Sequence, residues 1–145
     1  MDFYRKIKEN PLWQAGVCVS VVFVFELVIL LLNILKLDWV EIGDIWLVGT
    51  AMVLFYIILN TILGFGSKEM MSYYRDSIYG FLLILAFLIF TGRWLTGNSI
   101  FEVKTYSWII FVFAIVYLVF LTIQSLMRKI VALALKQDKK IQNEQ

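Results

Sequence analysis

The chain has 145 residues, 61% of them hydrophobic, with a mean hydropathy of +0.84 and a formal net charge of +2. Soluble domains sit near 45–50% apolar, and one core of this size cannot hide the excess, so lipid must cover it. There is no histidine and only one cysteine, Cys18. That excludes an intrachain disulfide, thiolate clusters for zinc or iron–sulfur, and the commonest general base and haem ligand.

The N-terminal segment carries Arg5, Lys6 and Lys8 ahead of an apolar run. That run is too long for a signal-peptide core and lacks a small-residue cleavage site after it. It therefore reads as a retained first membrane helix, about 12–35. Pro11 stands where a first helical turn accepts it. Glu26 falls roughly 21 Å along this helix at ~1.5 Å per residue, with no local route to water. A carboxyl at that depth must face protein or a water-filled cavity. Asn33 is seven residues on, and Val19, Val22 and Leu30 complete the same stripe. Gly16 and Ser20 form a small-xxx-small pair on a neighbouring arc, a pattern that permits close helix approach.

The second run covers about 42–64 and ends at Gly64-Phe65-Gly66-Ser67. Gly49, Tyr56, Asn60 and Gly64 repeat at seven, four and four residues, which places them on one helix face. A segment with mixed charges and paired tyrosines follows, 67–76, and reads as a loop at headgroup level or a partner-binding loop. Asp76 and Ser77 are candidate caps for a third helix, about 77–95. Arg93 lies about 24 Å along that helix, at a depth similar to that of Glu26. Tyr79, Ala86 and Arg93 share one face by their seven-residue repeat.

The fourth run, about 105–127, carries Ala114, Tyr117, Gln124 and Ser125 within one arc, with Arg128 below. Beyond it, 128–145 is expected to continue as a cytoplasmic amphipathic helix. Ile130, Val131, Ala134, Leu135 and Ile141 give one side, and Arg128, Lys129, Lys136, Lys139 and Lys140 supply the charge. Such a tail favours anionic lipid headgroups by about 1 kcal/mol per basic residue near the surface, or docks a partner.

Each run approaches the ~20 residues needed to cross the hydrocarbon layer. None alternates as a barrel strand would, so helices follow. With the N-terminus inside, ten basic residues (Arg5, Lys6, Lys8, Lys68, Arg75, Arg128, Lys129, Lys136, Lys139, Lys140) fall on the cytoplasmic side. Three, Lys36, Arg93 and Lys104, fall opposite. The basic excess sets both termini inside. The first outer loop is acidic, with Asp38, Glu41 and Asp44. Trp39, Trp46, Trp94 and Trp108 mark the outer aromatic belt, and Trp13 the inner one.

The expected fold is an all-α, multi-pass membrane four-helix bundle, as in a bacterial inner membrane: a transmembrane domain over 1–127 and a helical tail. Glu26 and Arg93 are candidates for an ion pair that fixes register, with Arg93 snorkelling to the outer headgroups as a second possibility. Alternatively, Glu26 is a proton or cation site in a cavity lined by Asn33, Tyr56 and Tyr117. The polar stripes, with Asn60 and Gln124, read first as helix contacts and second as a pathway lining. No phosphate loop, nucleophile motif or carboxylate cluster is present, so a non-enzymatic role without cofactor, metal or nucleic acid is expected. The leading reading is helix–helix assembly, as a subunit of a membrane complex or a homo-oligomeric effector, with lipid and other membrane chains as partners. A small proton- or cation-coupled transporter or channel is the alternative.

Overall fold

The computed structural model describes residues 2–37, 39–66 and 70–144. The chain is all-helical, 86% helix, with no strand among the described residues. Five helices follow in order: α1 (Asp2–Glu9), α2 (Pro11–Ile34), α3 (Asp44–Gly64), α4 (Met70–Thr96) and α5 (Lys104–Asn143). The last four are long and apolar enough to cross a membrane.

Local chemistry sets the helix boundaries. Asn10 caps α2, its Oδ1 accepting the Leu12 N–H at 3.0 Å, and Pro11 supplies the first turn without a donor to satisfy. At the other end Lys36 adopts a left-handed conformation (φ 51°), and the Leu37 N–H reaches back to the Leu32 carbonyl at 3.2 Å. This arrangement closes the helix and reverses the chain. Gly97, also left-handed (φ 74°), ends α4.

The third membrane helix begins earlier than its apolar run. Asp76 and Ser77 are not caps but lie inside α4, which starts at Met70. No glycine or proline interrupts Met70–Asp76, and Tyr73 in this stretch is buried against α2 and α3, so packing extends the helix. Of the segment read as a loop, Ser67, Lys68 and Glu69 lie outside the described residues, as does Asp38 of the first outer turn.

Polar contacts fix the directions of the helices. Gln14, early in α2, meets Asn60, late in α3, and Tyr73, early in α4. Glu26, late in α2, meets Thr91, late in α4. Helices α2 and α4 therefore run parallel, with α3 antiparallel to both, and these three pack on one another. Helix α5 lies along α3 and parallel to it, since Tyr117, Gln124 and Arg128 meet Asn60, Thr61 and Gly64 in order. It touches α4 through the rings of Tyr117 and Phe81, 4.9 Å apart.

The core is apolar and aromatic, built on Cys18, Trp46, Val53, Tyr56, Ile84, Leu88 and Tyr117. Two glycines let helices approach closely. A side chain at Gly49 would strike Leu88, and one at Gly92 would meet the Trp46 ring at 2.7 Å. Trp46 is thus a core residue, 1% exposed, whose Nε1 donates to Thr96 Oγ1 at 3.2 Å. Its place near a helix end reads in sequence as an outer-belt position, but it is buried, unlike Trp39, Trp94 and Trp108, which are exposed. The outer surface is otherwise lined by large apolar side chains such as Leu31, Ile34 and Phe90.

Candidate functional site

Two buried polar groups stand out. The larger lies where the start of α2, the end of α3, the start of α4 and the middle of α5 converge. Asn60 is its centre and is fully buried. Its Nδ2 donates to Gln14 Oε1 at 3.0 Å and approaches the Tyr73 hydroxyl at 3.3 Å. Its Oδ1 accepts from the Tyr117 hydroxyl at 2.8 Å, and its own carbonyl accepts from Tyr73 at 2.9 Å. Gln14 Nε2 donates onward to the Ile7 carbonyl at 2.8 Å, which ties the short α1 to the bundle.

Around this centre Tyr56, Gln124 and Arg128 donate to backbone carbonyls, while the buried Ser77 Oγ and Gln124 Oε1 have no hydrogen-bond partner among the described residues. The Tyr56 hydroxyl donates to the Ser77 carbonyl at 3.0 Å, and its ring meets that of Tyr117 edge-on at 6.2 Å. Gly80 makes room for it, since a side chain there would strike the Tyr56 hydroxyl. Gln124 Nε2 donates to the Thr61 carbonyl at 3.0 Å, and Arg128 donates to the Gly64 carbonyl at 2.5 Å. These last two bonds serve carbonyls at the end of α3, which have no partner within their own helix.

The structure therefore gathers Tyr56, Asn60, Tyr117 and Gln124 from the sequence-derived candidates into one cluster and adds Gln14 and Tyr73, which sequence reasoning missed. Gln14 is a lone polar residue three positions into an apolar helix, where it reads as an interface residue. Tyr73 sits in a charged stretch that reads as a loop. The signal that could have found Gln14 is its register: Gln14, Cys18, Val22, Glu26 and Ile29 are buried at three- and four-residue steps.

The second group is Glu26, 3% exposed between α2 and α4. The Thr91 hydroxyl lies 2.6 Å from its Oε1. Glu26 does not pair with Arg93. The ion pair found among the described residues is Arg75–Asp76, at 3.1 Å on the surface. Arg93 is exposed beside Ala86, Ile89, Phe90 and Trp94, and Tyr79 and Ala86 face outward with it. The three do share a face, but it points away from the bundle. Thr91 and Arg93 are two residues apart, so at ~100° per residue they project to nearly opposite sides of α4.

Asn33 does not join either group. It is half-buried in a groove at the far end of α2 with Lys36, Leu37, Val40, Glu41 and Ile42, about 28 Å along the helix from Gln14. A cavity shared by Glu26, Asn33, Tyr56 and Tyr117 is thus not formed. Lys129, Lys136, Lys139 and Lys140 are exposed on the part of α5 that extends past the bundle. Among the described residues no three His, Cys, Asp or Glu side chains gather as a metal site.

The small pair Gly16 and Ser20 also faces outward. With Trp13, Val17, Val21, Val24 and Phe25 it lines a groove of about 550 Å³ along α2. A side chain added at Gly16 would meet nothing within 4 Å. No protein-family model matches the chain, and comparison with curated proteins and with solved structures gives no match either.

Proposed function

We propose that this chain is a multi-pass membrane protein, with both termini cytoplasmic in a membrane such as the bacterial inner membrane, that acts by helix–helix assembly. It serves as a small subunit of a membrane complex or as a homo-oligomeric effector. The observation that carries this reading is the Gly16–Ser20 groove on α2, which none of the described residues covers. In lipid, helices associate through small residues that let backbones approach, and this face offers that surface to another transmembrane helix. The exposed extension of α5 adds a basic and apolar surface for anionic headgroups or a cytoplasmic partner. Of the polar side chains that could have lined a pathway, Asn60 and Tyr117 bond each other and Tyr56 and Gln124 donate to backbone carbonyls, which favours a structural role for them.

Native mass spectrometry of the protein gently solubilised from its own membranes tests this. Complexes of this chain with itself or with stoichiometric foreign chains are expected, and Gly16→Ile should dissociate them without unfolding the bundle. A monomer throughout would refute the reading.

A second reading, a proton- or cation-coupled carrier, is favoured by one observation: Glu26 lies inside the bundle without a cationic partner among the described residues. In that case Glu26→Gln abolishes flux in proteoliposomes while leaving the fold intact.

A further inference from the structure

Glu26 raises a question of proton count that neither assembly nor transport answers. The Thr91 hydroxyl lies 2.6 Å from Glu26 Oε1 and 2.9 Å from the Phe87 carbonyl, one turn back on α4. A threonine hydroxyl has one proton to donate and two lone pairs to accept with. It can bond one of these oxygens as donor, not both. If its proton goes to Phe87, a second proton must lie between Thr91 and Glu26, and the carboxyl itself is the group that can supply it.

The surroundings decide between the two arrangements. Among the described residues, the buried polar side chains of the chain other than Glu26 are Gln14, Thr50, Asn60, Ser77, Thr91 and Gln124, none of them a cation, and Thr91 is the one bonded to Glu26. Of the charged groups described at that end of the bundle, Lys36 after α2, Glu41 before α3, Arg93 on α4, Glu102 before α5 and Lys104 at its start are exposed, and Asp44 on α3 accepts from the Glu41 N–H at 3.0 Å. Among the described residues no buried positive charge offsets an ionised carboxylate here, and Thr91 is the hydrogen-bond partner found for it. A buried carboxylate without a paired charge neutralises instead of bearing the cost of desolvation.

We infer that Glu26 is held as a neutral carboxylic acid that donates to Thr91 Oγ1, while Thr91 donates to Phe87, which makes the pair a proton-binding site inside the membrane span. The inference is independent of whether the chain assembles or transports. A neutral acid also explains how an acidic residue is accommodated between two helices without the arginine that sequence depth suggested for it.

Infrared spectroscopy of the full chain in lipid, labelled with carbon-13 glutamate, tests it at neutral pH. The expected spectrum contains a carboxylic-acid C=O band that the label shifts. Glu26→Gln removes that band, and Thr91→Val moves it to higher frequency because the hydrogen bond is lost. If Glu26→Gln does not fold, the response to Thr91→Val alone carries the assignment. A spectrum with only carboxylate bands, or an acid band that Thr91→Val leaves unmoved, overturns the proposal.

Discussion

The Tyr117 hydroxyl of α5 donates to Asn60 Oδ1 of α3 at 2.8 Å, and the same amide donates to Gln14 of α2. One side chain thus links three helices, and removing it leaves several buried groups without partners. An unsatisfied buried group costs about 1–3 kcal/mol, whereas single interhelical hydrogen bonds in membranes average about 0.6 kcal/mol. Asn60→Ala should therefore destabilise the bundle by roughly 2 kcal/mol. Tyr117→Phe, which keeps the ring on Phe81 and strands only Asn60 Oδ1, should cost about 1 kcal/mol. Unfolding in mixed micelles titrated with denaturing detergent measures both. Thr122→Val is the control: Thr122 is exposed and bonds only its own helix, at the Leu118 carbonyl.

Two glycines predict opposite outcomes from the same substitution. Gly92 lies against the Trp46 ring, and a Cβ there would sit 2.7 Å from it. The indole is held by its bond to Thr96 and has little room to yield. Gly92→Ala should cost about 1–3 kcal/mol by overpacking. A Cβ at Gly16 meets nothing within 4 Å among the described residues, so Gly16→Ala should stabilise the monomeric bundle by up to about 1 kcal/mol through helix propensity. Detergent unfolding of the two variants side by side checks the contrast.

The four spans were legible because length and hydropathy fix them, and the Tyr56–Asn60–Gly64 stripe was legible because helical spacing alone puts it on one face. What sequence could not supply was rotation: which face of each helix turns inward. Glu26 and Arg93 have similar depths, and depth was the only coordinate available to pair them. The inward residue of α4 at that level is Thr91, a neutral side chain that gives no signal in an apolar run. Trp46 failed for the same reason, since a tryptophan near a helix end fits the interface and the core equally well. Tyr73 was hidden by the charges around it, although its buried hydroxyl bonds Asn60.

Because Arg93 faces outward and Glu26 inward, the two should be energetically independent. Arg93→Gln is expected to change stability by less than about 0.5 kcal/mol, as surface substitutions do. In a double-mutant cycle with Glu26→Gln, the coupling should also stay below about 0.5 kcal/mol. An ion pair would behave differently: each single change would strand a charge, and the double change would recover part of the loss. A recovery of more than ~1 kcal/mol would place Arg93 against Glu26 after all.

The last prediction separates the bundle from the extension of α5. From Lys129 to Asn143 the helix continues about 22 Å at ~1.5 Å per residue, and every residue along it is exposed. It contributes no buried side chain to the core, whereas Arg128, one residue earlier, bonds the Gly64 carbonyl and closes the end of α3. Truncation after Ile130 should therefore leave the unfolding midpoint of the bundle within about 0.5 kcal/mol of the full chain. Arg128→Ala should lower it by ~1 kcal/mol, because a charge-assisted bond to an otherwise unpartnered carbonyl is lost. The truncated chain should also bind anionic vesicles more weakly, by about 1 kcal/mol for each of Lys136, Lys139 and Lys140 that lies at the surface. Vesicle co-sedimentation of the detergent-solubilised protein at low and high salt measures this. A full chain whose vesicle binding is insensitive to both salt and truncation would mean that the tail serves a partner protein instead of the lipid surface.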